Sequence, residues 1–113
     1  MKSPMVTKQI GTTFSERVVK AALAIPKGRV TTYGRISRAA GGGGLGARSV
    51  TAILARAWEA GEKNIPFHRI VYSDGRIWIN EEYRVKRLKL YKEEGIHLED
   101  DRIKNFADVV YDY

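Results

Sequence analysis

The sequence predicts a mainly α-helical fold with one small β hairpin, laid out as a winged helix-turn-helix, and three observations carry that expectation. Apolar residues recur at helical spacing in several runs that carry recognisable caps or stops. Between two of those runs lies Gly41-Gly42-Gly43-Gly44-Leu45-Gly46, a stretch that can only be a loop. Ser73-Asp74-Gly75-Arg76 sits between two short β-branched and aromatic runs, the composition of a hairpin turn. At 113 residues, the chain is expected to form one domain spanning 1–113, with a modest core and no need of disulfides or metal.

The first dozen residues read as a loose lead-in or a short edge strand. Thr13-Phe14-Ser15-Glu16 then has capping-box spacing, and Phe14, Val18, Ala21, Ala22 and Ile25 mark one buried face of a helix to about Ala24. Pro26-Lys27-Gly28 stops it. Val30-Thr31-Thr32 leads into a second helix from about Tyr33 to Ala40, with Thr31 or Thr32 as cap. After the glycine loop a third helix is expected from about Ala47 to Ala60, with Val50, Ile53, Leu54 and Ala57 inward. Short helix, glycine-containing turn and longer helix form a helix-turn-helix layout, although the turn is longer than usual.

Ile70-Val71-Tyr72 and Ile77-Trp78-Ile79 are the expected hairpin strands. A last helix is expected from about Glu82 to Glu94, with Gly95 as its left-handed cap and Val85, Leu88 and Tyr91 inward. Residues 96–113 form an acidic C-terminal tail whose aromatic and aliphatic side chains suit a further short helix.

The net charge of +7 is uneven. Glu99, Asp100, Asp101, Asp108 and Asp112 against Arg102 and Lys104 give residues 96–113 a charge of −3, which leaves +10 on residues 1–95. A basic body suits a nucleic-acid partner, and equally an ordinary solubilising surface. The absence of cysteine excludes thiolate catalysis and cysteine-ligated zinc. No apolar run approaches a membrane span and no signal-peptide order opens the chain, so the expected compartment is the cytoplasm, or the nucleoid in a prokaryote.

Gly41-x-Gly43-x-x-Gly46 formally matches a dinucleotide fingerprint, but it follows a helix where that motif needs a strand, so a plain turn is the better reading. His68 and His97 lack ligand spacing, and no metal or cofactor is expected. The ordinary role for His68 is a hydrogen-bonded imidazole orienting a loop. From its residues alone the chain is a basic helix-turn-helix domain without an assigned ligand.

Three ordered blocks add to that reading. Phe14 to Ser37 includes Ile25-Pro26-x-Gly28-x-Val30-x-x-Tyr33-Gly34-x-Ile36; Ala47-Arg48-Ser49-Val50 opens the third helix; Ile65-Pro66-Phe67-His68-Arg69-Ile70-Val71 precedes Ser73-Asp74-Gly75. Together, over about residues 14–95, they resemble the DNA-binding domain of O6-alkylguanine-DNA alkyltransferases, whose signature is Pro-Cys-His-Arg. Phe67 stands at the cysteine position, so the resemblance is to the cysteine-less alkyltransferase-like proteins, in which tryptophan or alanine is more familiar there.

The resemblance implies a non-enzymatic sensor, expected to act as a monomer. It would dock its helix-turn-helix in the minor groove of duplex DNA, flip O6-alkylguanine into a pocket and mark it for nucleotide-excision repair proteins. By position, Tyr33 would rotate the nucleotide out and Arg48 would fill the vacated space, with Thr32, Gly46, Ala47 and Ser49 as further DNA contacts. Phe67, His68, Arg69, Tyr33 and Glu94 would form the lesion pocket, with His68 and Glu94 kept as architecture of the family's proton relay. The interval Arg56–Asn64 lacks the family's Asn-Pro and is slightly longer. The rival expectation is a helix-turn-helix regulator that reads undamaged sequence through the major groove.

Overall fold

The computed structural model describes residues 13–42 and 46–113. The expected lead-in or edge strand lies outside them, as does the centre of the glycine loop. Helix α1 spans Phe14–Leu23 because Thr13 and Glu16 cap reciprocally: Glu16 N–H donates to the Thr13 hydroxyl (3.1 Å) and Thr13 N–H to the Glu16 carboxylate (2.8 Å). Val18, Ala21 and Ala22 form its buried face, continued by Ile25. Strand β1, Thr31–Thr32, runs directly into helix α2, Tyr33–Ala39. Of the two candidate caps, Thr32 serves, accepting from Arg35 N–H at 3.2 Å.

Helix α3 spans Ala47–Glu59 and buries Val50, Ile53 and Leu54 against α1 and α2. Together these helices are the helix-turn-helix part of a mainly helical fold. Gly46 precedes α3 where the chain passes close over α2. A Cβ built there would lie 2.2 Å from Oγ of Ser37, a residue with no exposed surface. Gly46→Ala is therefore expected to destabilise the domain by about 1–3 kcal/mol through overpacking. An unchanged urea midpoint would show that the contact relaxes freely.

Strand β2, Ile70–Val71, pairs in parallel with β1 (Thr31 with Ile70, Thr32 with Val71). Ile70 joins the helical core, whereas Val71 joins a second cluster with Val30, Ile77, Tyr91, Ile96 and Ile103. The two-stranded sheet thus forms the seam between the two clusters.

The hairpin is displaced from its expected place. The chain does turn at Ser73–Arg76, with Tyr72 N–H donating to Arg76 O and Gly75 N–H to Tyr72 O. Ile77-Trp78-Ile79 nevertheless forms no strand, because Ile77 N–H is drawn to Asp101 O (3.0 Å) and its side chain to the second cluster. The antiparallel pair is instead β3, Leu98–Glu99, with β4, Arg102–Ile103. Asp100 and Asp101 between them both have positive φ (52° and 60°), the conformation of a type I′ turn.

Helix α4 spans Arg84–Glu93 and starts slightly later than expected. It ends at Gly95 in a Schellman arrangement: Ile96 N–H donates to Tyr91 O and Gly95 N–H to Lys92 O, with Gly95 at φ +74°. Tyr91 is buried and Leu88 half-buried, but Val85 is 81% exposed rather than inward. Six residues before Tyr91, Val85 lies about 120° around the helix from it, whereas Arg87 lies about 40° away. The residues after Gly95 are built into the fold. A short helix α5, Phe106–Val109, follows the hairpin, and Val110 then forms a parallel bridge to Val30. Thr31 donates its hydroxyl hydrogen to Tyr111 O, the Tyr113 hydroxyl donates to Ala21 O, and Asp112 pairs with Arg35.

Candidate nucleic-acid interface

The starts of α2 and α3 present the side chains expected to meet DNA. Arg48 and Ser49 are exposed in the first turn of α3, with Ala47 and Gly46 half-buried beside them. Among the described residues no hydrogen bond or ion pair engages Arg48. The N-cap of α3, Gly46, makes no side-chain hydrogen bond, and a helix start of this kind suits an anion. Tyr33 opens α2 half-buried, its ring 5.9 Å from that of Tyr72. Burial, reinforced by Tyr72 and opposed by Arg87, raises its pKa and keeps the phenol protonated. Thr32 differs from the other expected contacts in being 3% exposed, with its oxygen committed to capping α2.

Phe67, His68 and Arg69 form a single turn of 3-10 helix immediately before β2. Two of these side chains converge on Glu94, at the end of α4. His68 Nε2 lies 2.7 Å from Glu94 Oε2, and Arg69 donates Nε to Oε1 (3.0 Å) and Nη2 to Oε2 (2.7 Å). Gly28 N–H adds a bond to Oε1 at 3.0 Å, while Arg69 Nη1 donates to Ile25 O at 2.9 Å. One carboxylate thereby ties the turn after α1, the Phe67 run and the end of α4.

The electrostatics follow from that geometry. Burial alone would raise the pKa of Glu94, but Arg69, the Gly28 amide and His68 outweigh it and hold the carboxyl at about 2. Burial lowers the pKa of His68, against the pull of Glu94, so the imidazole is neutral at pH 7. A carboxylate only accepts, so Nε2 carries the proton and donates.

Both folded pKa values are depressed, so both groups stabilise the fold above their unfolded values and lose that contribution on acidification. Stability is expected to decline from about pH 6.5 as His68 is forced to charge. A further loss, on the order of 3 kcal/mol, follows between pH 4.5 and about 2 as Glu94 protonates. Urea midpoints taken from pH 7 to pH 2 measure this, and a flat profile contradicts it.

Phe67 is half-buried and meets Trp58 edge-on at 5.6 Å, and Lys63 Nζ lies 4.5 Å from the Trp58 ring centroid. Arg87 lies 5.5 Å from the ring of Trp78. The expected pocket residues therefore divide into parts: Phe67 with Trp58, Tyr33 with Tyr72, and His68 and Arg69 on Glu94. Among the described residues no ring contact joins Tyr33 to Phe67. Trp58, Tyr72 and Arg87 are additions to the expected set. The signal of Trp58 and Tyr72 is weak because isolated aromatics read equally well as core, and Arg87 is one of several basic residues along α4. No group of three or more metal-ligating side chains occurs among the described residues, nor does any helix there have the length and apolarity to cross a membrane.

Residues 13–96 match the family described as 6-O-methylguanine DNA methyltransferase, DNA binding domain. A DNA base-flipping protein of Escherichia coli K12 is 41% identical over 64 residues, which cover 57% of the chain and 47% of that protein. The chain thus spans about half the length of the curated relatives it matches. Among solved structures, S. pombe Atl1 in complex with damaged DNA containing O6-carboxymethylguanine is similar at a TM-score of 0.71 and 26% identity, covering 88% of this chain and 95% of that one. Mycobacterium tuberculosis O6-methylguanine methyltransferase is similar at a TM-score of 0.52 and 29% identity, over 74% of this chain and 51% of that one.

Proposed function

The chain belongs to the family of the 6-O-methylguanine DNA methyltransferase DNA-binding domain, as an alkyltransferase-like protein, and from that premise we propose that it is a non-enzymatic sensor of O6-alkylguanine in duplex DNA. The observation that carries the proposal is Phe67 in the Pro66-Phe67-His68-Arg69 run of a chain without cysteine. A phenyl ring has no lone pair with which to take an alkyl group, while the scaffold around it is intact: His68 and Arg69 still converge on Glu94. Likeness to a structure holding O6-carboxymethylguanine DNA supports the choice of lesion.

In this reading Lys and Arg side chains bind phosphates without sequence preference. Tyr33 drives the damaged nucleotide out of the stack and Arg48 takes its place. Phe67 then offers apolar surface at the edge of the pocket. The held lesion is passed to nucleotide-excision repair in the cytoplasm, the protein acting as a monomer and leaving the alkyl group in place.

Equilibrium binding to matched duplexes with O6-methylguanine or guanine at one position tests the proposal. Tighter binding to the lesion is expected, with mass spectrometry showing the alkylated oligonucleotide unchanged. Equal affinities, together with a consensus recovered from a random duplex pool, would establish the sequence-reading regulator instead.

A further inference from the structure

Ile77 and Ile79 pack into the second core cluster, but Trp78 between them keeps 41% of its surface exposed. The exposed indole is nevertheless anchored. Cζ of Arg87 lies 5.5 Å from its ring centroid, and Nη1 of the same guanidinium donates to Trp78 O at 3.4 Å. Arg87 belongs to α4, so a helix holds both the ring and its peptide. A cation against an aromatic face is itself an attractive contact. A ring backed in this way, and accessible elsewhere, is preorganised to stack on a second planar group.

The position of the ring identifies that group. Arg87 also acts electrostatically on Tyr33 and on His68, so Trp78 adjoins both the start of α2 and the Phe67 run. Tyr72, 5.9 Å from Tyr33 between ring centroids, is 41% exposed as well. Accessible rings with a guanidinium beside them are the kind of surface on which proteins hold unpaired bases.

We propose that Trp78, braced by Arg87, is the stacking platform for the extruded base, deepening the lesion-sensor reading on which it rests. A base within the duplex stacks on a neighbour at each face and loses both contacts on leaving. The indole restores one of them. Its contribution therefore arises only once the base is out of the helix, and extrusion costs least for a damaged base. Stacking does not tell one base from another, so the platform rewards extrusion itself.

Trp78→Ala tests this, with binding measured to duplexes carrying O6-methylguanine, guanine or an abasic position at one site, alongside a urea midpoint. Affinity for the lesion duplex is expected to fall about tenfold. The guanine duplex keeps its base stacked and the abasic one has none to offer, so both are expected to change less than about twofold. Trp78→Phe keeps an aromatic face and is expected to lose only about threefold on the lesion duplex. It carries the test if alanine lowers the urea midpoint. A lesion preference undiminished in both variants overturns the inference and leaves the sensor reading standing. Equal losses on all three duplexes also overturn it, by placing the indole against the DNA backbone. Absence of lesion preference in the wild type overturns both.

Discussion

Arg48→Ala is expected to remove most of the discrimination between O6-methylguanine and guanine duplexes, a loss of about ten- to a hundredfold, or roughly 1.4–2.7 kcal/mol. The expectation comes from where the side chain sits. Arg48 is exposed in the first turn of α3, outside both core clusters, so its loss leaves the fold intact to within about 0.5 kcal/mol. Extruding a base costs a few kcal/mol of stacking and strands its pairing partner. A planar guanidinium both stacks in the gap and donates to that partner, and an ammonium does neither well. Arg48→Lys is therefore expected to fail as a rescue. Were Arg48 only a phosphate clamp, lysine would restore binding and alanine would weaken lesion and control duplexes alike. Titrations of the two variants against both duplexes separate these roles.

Glu94→Ala is expected to cost about 3–5 kcal/mol, a larger loss of stability than Gly46→Ala or Arg48→Ala brings. Its carboxylate is 5% exposed and holds Arg69, itself 18% exposed, together with His68 and the Gly28 amide. Removing it leaves a largely buried guanidinium without its counter-charge, which costs far more than the net worth of the pair. Against a total stability of about 5–15 kcal/mol, the melting temperature should fall by more than about 10 °C. Glu94→Gln keeps an acceptor for His68 and should lose less. A melting temperature unchanged in the alanine variant would refute the idea that this carboxylate braces the site.

Local chemistry is legible in the residues themselves. Thr13 with Glu16, Thr32 at the start of α2 and Gly95 at the end of α4 each act within one helical turn, and each serves as its residue type suggests. Pairings between distant segments are not legible in that way. β1 and β2 are too short to carry an alternation, and nothing in Thr31 announces Ile70 as its partner. Asp74-Gly75 obeys hairpin chemistry and does turn the chain, but tertiary contacts with Asp101 decide where Ile77 goes. Meanwhile Asp100-Asp101, without glycine, makes the true hairpin in a conformation glycine would favour.

The candidate site divides in the same way. Arg48 and Tyr33 stand out by their place at helix starts and by family resemblance. His68 and Glu94 are linked by the resemblance alone, since a lone histidine carries no signal of its partner.

The bridge between Val30 and Val110 has a consequence for synthesis. Thr31 meets Tyr111 across a separation of 80 residues, so the edge of β1 stays uncovered until that later segment has been made. At about 5–20 residues per second, the wait is about 4–16 s. Throughout it, the three helices can gather locally while β1 exposes unpaired amides on the ribosome, open to a nascent neighbour or a chaperone. The order of translation thus places closure of this edge after the three helices have gathered.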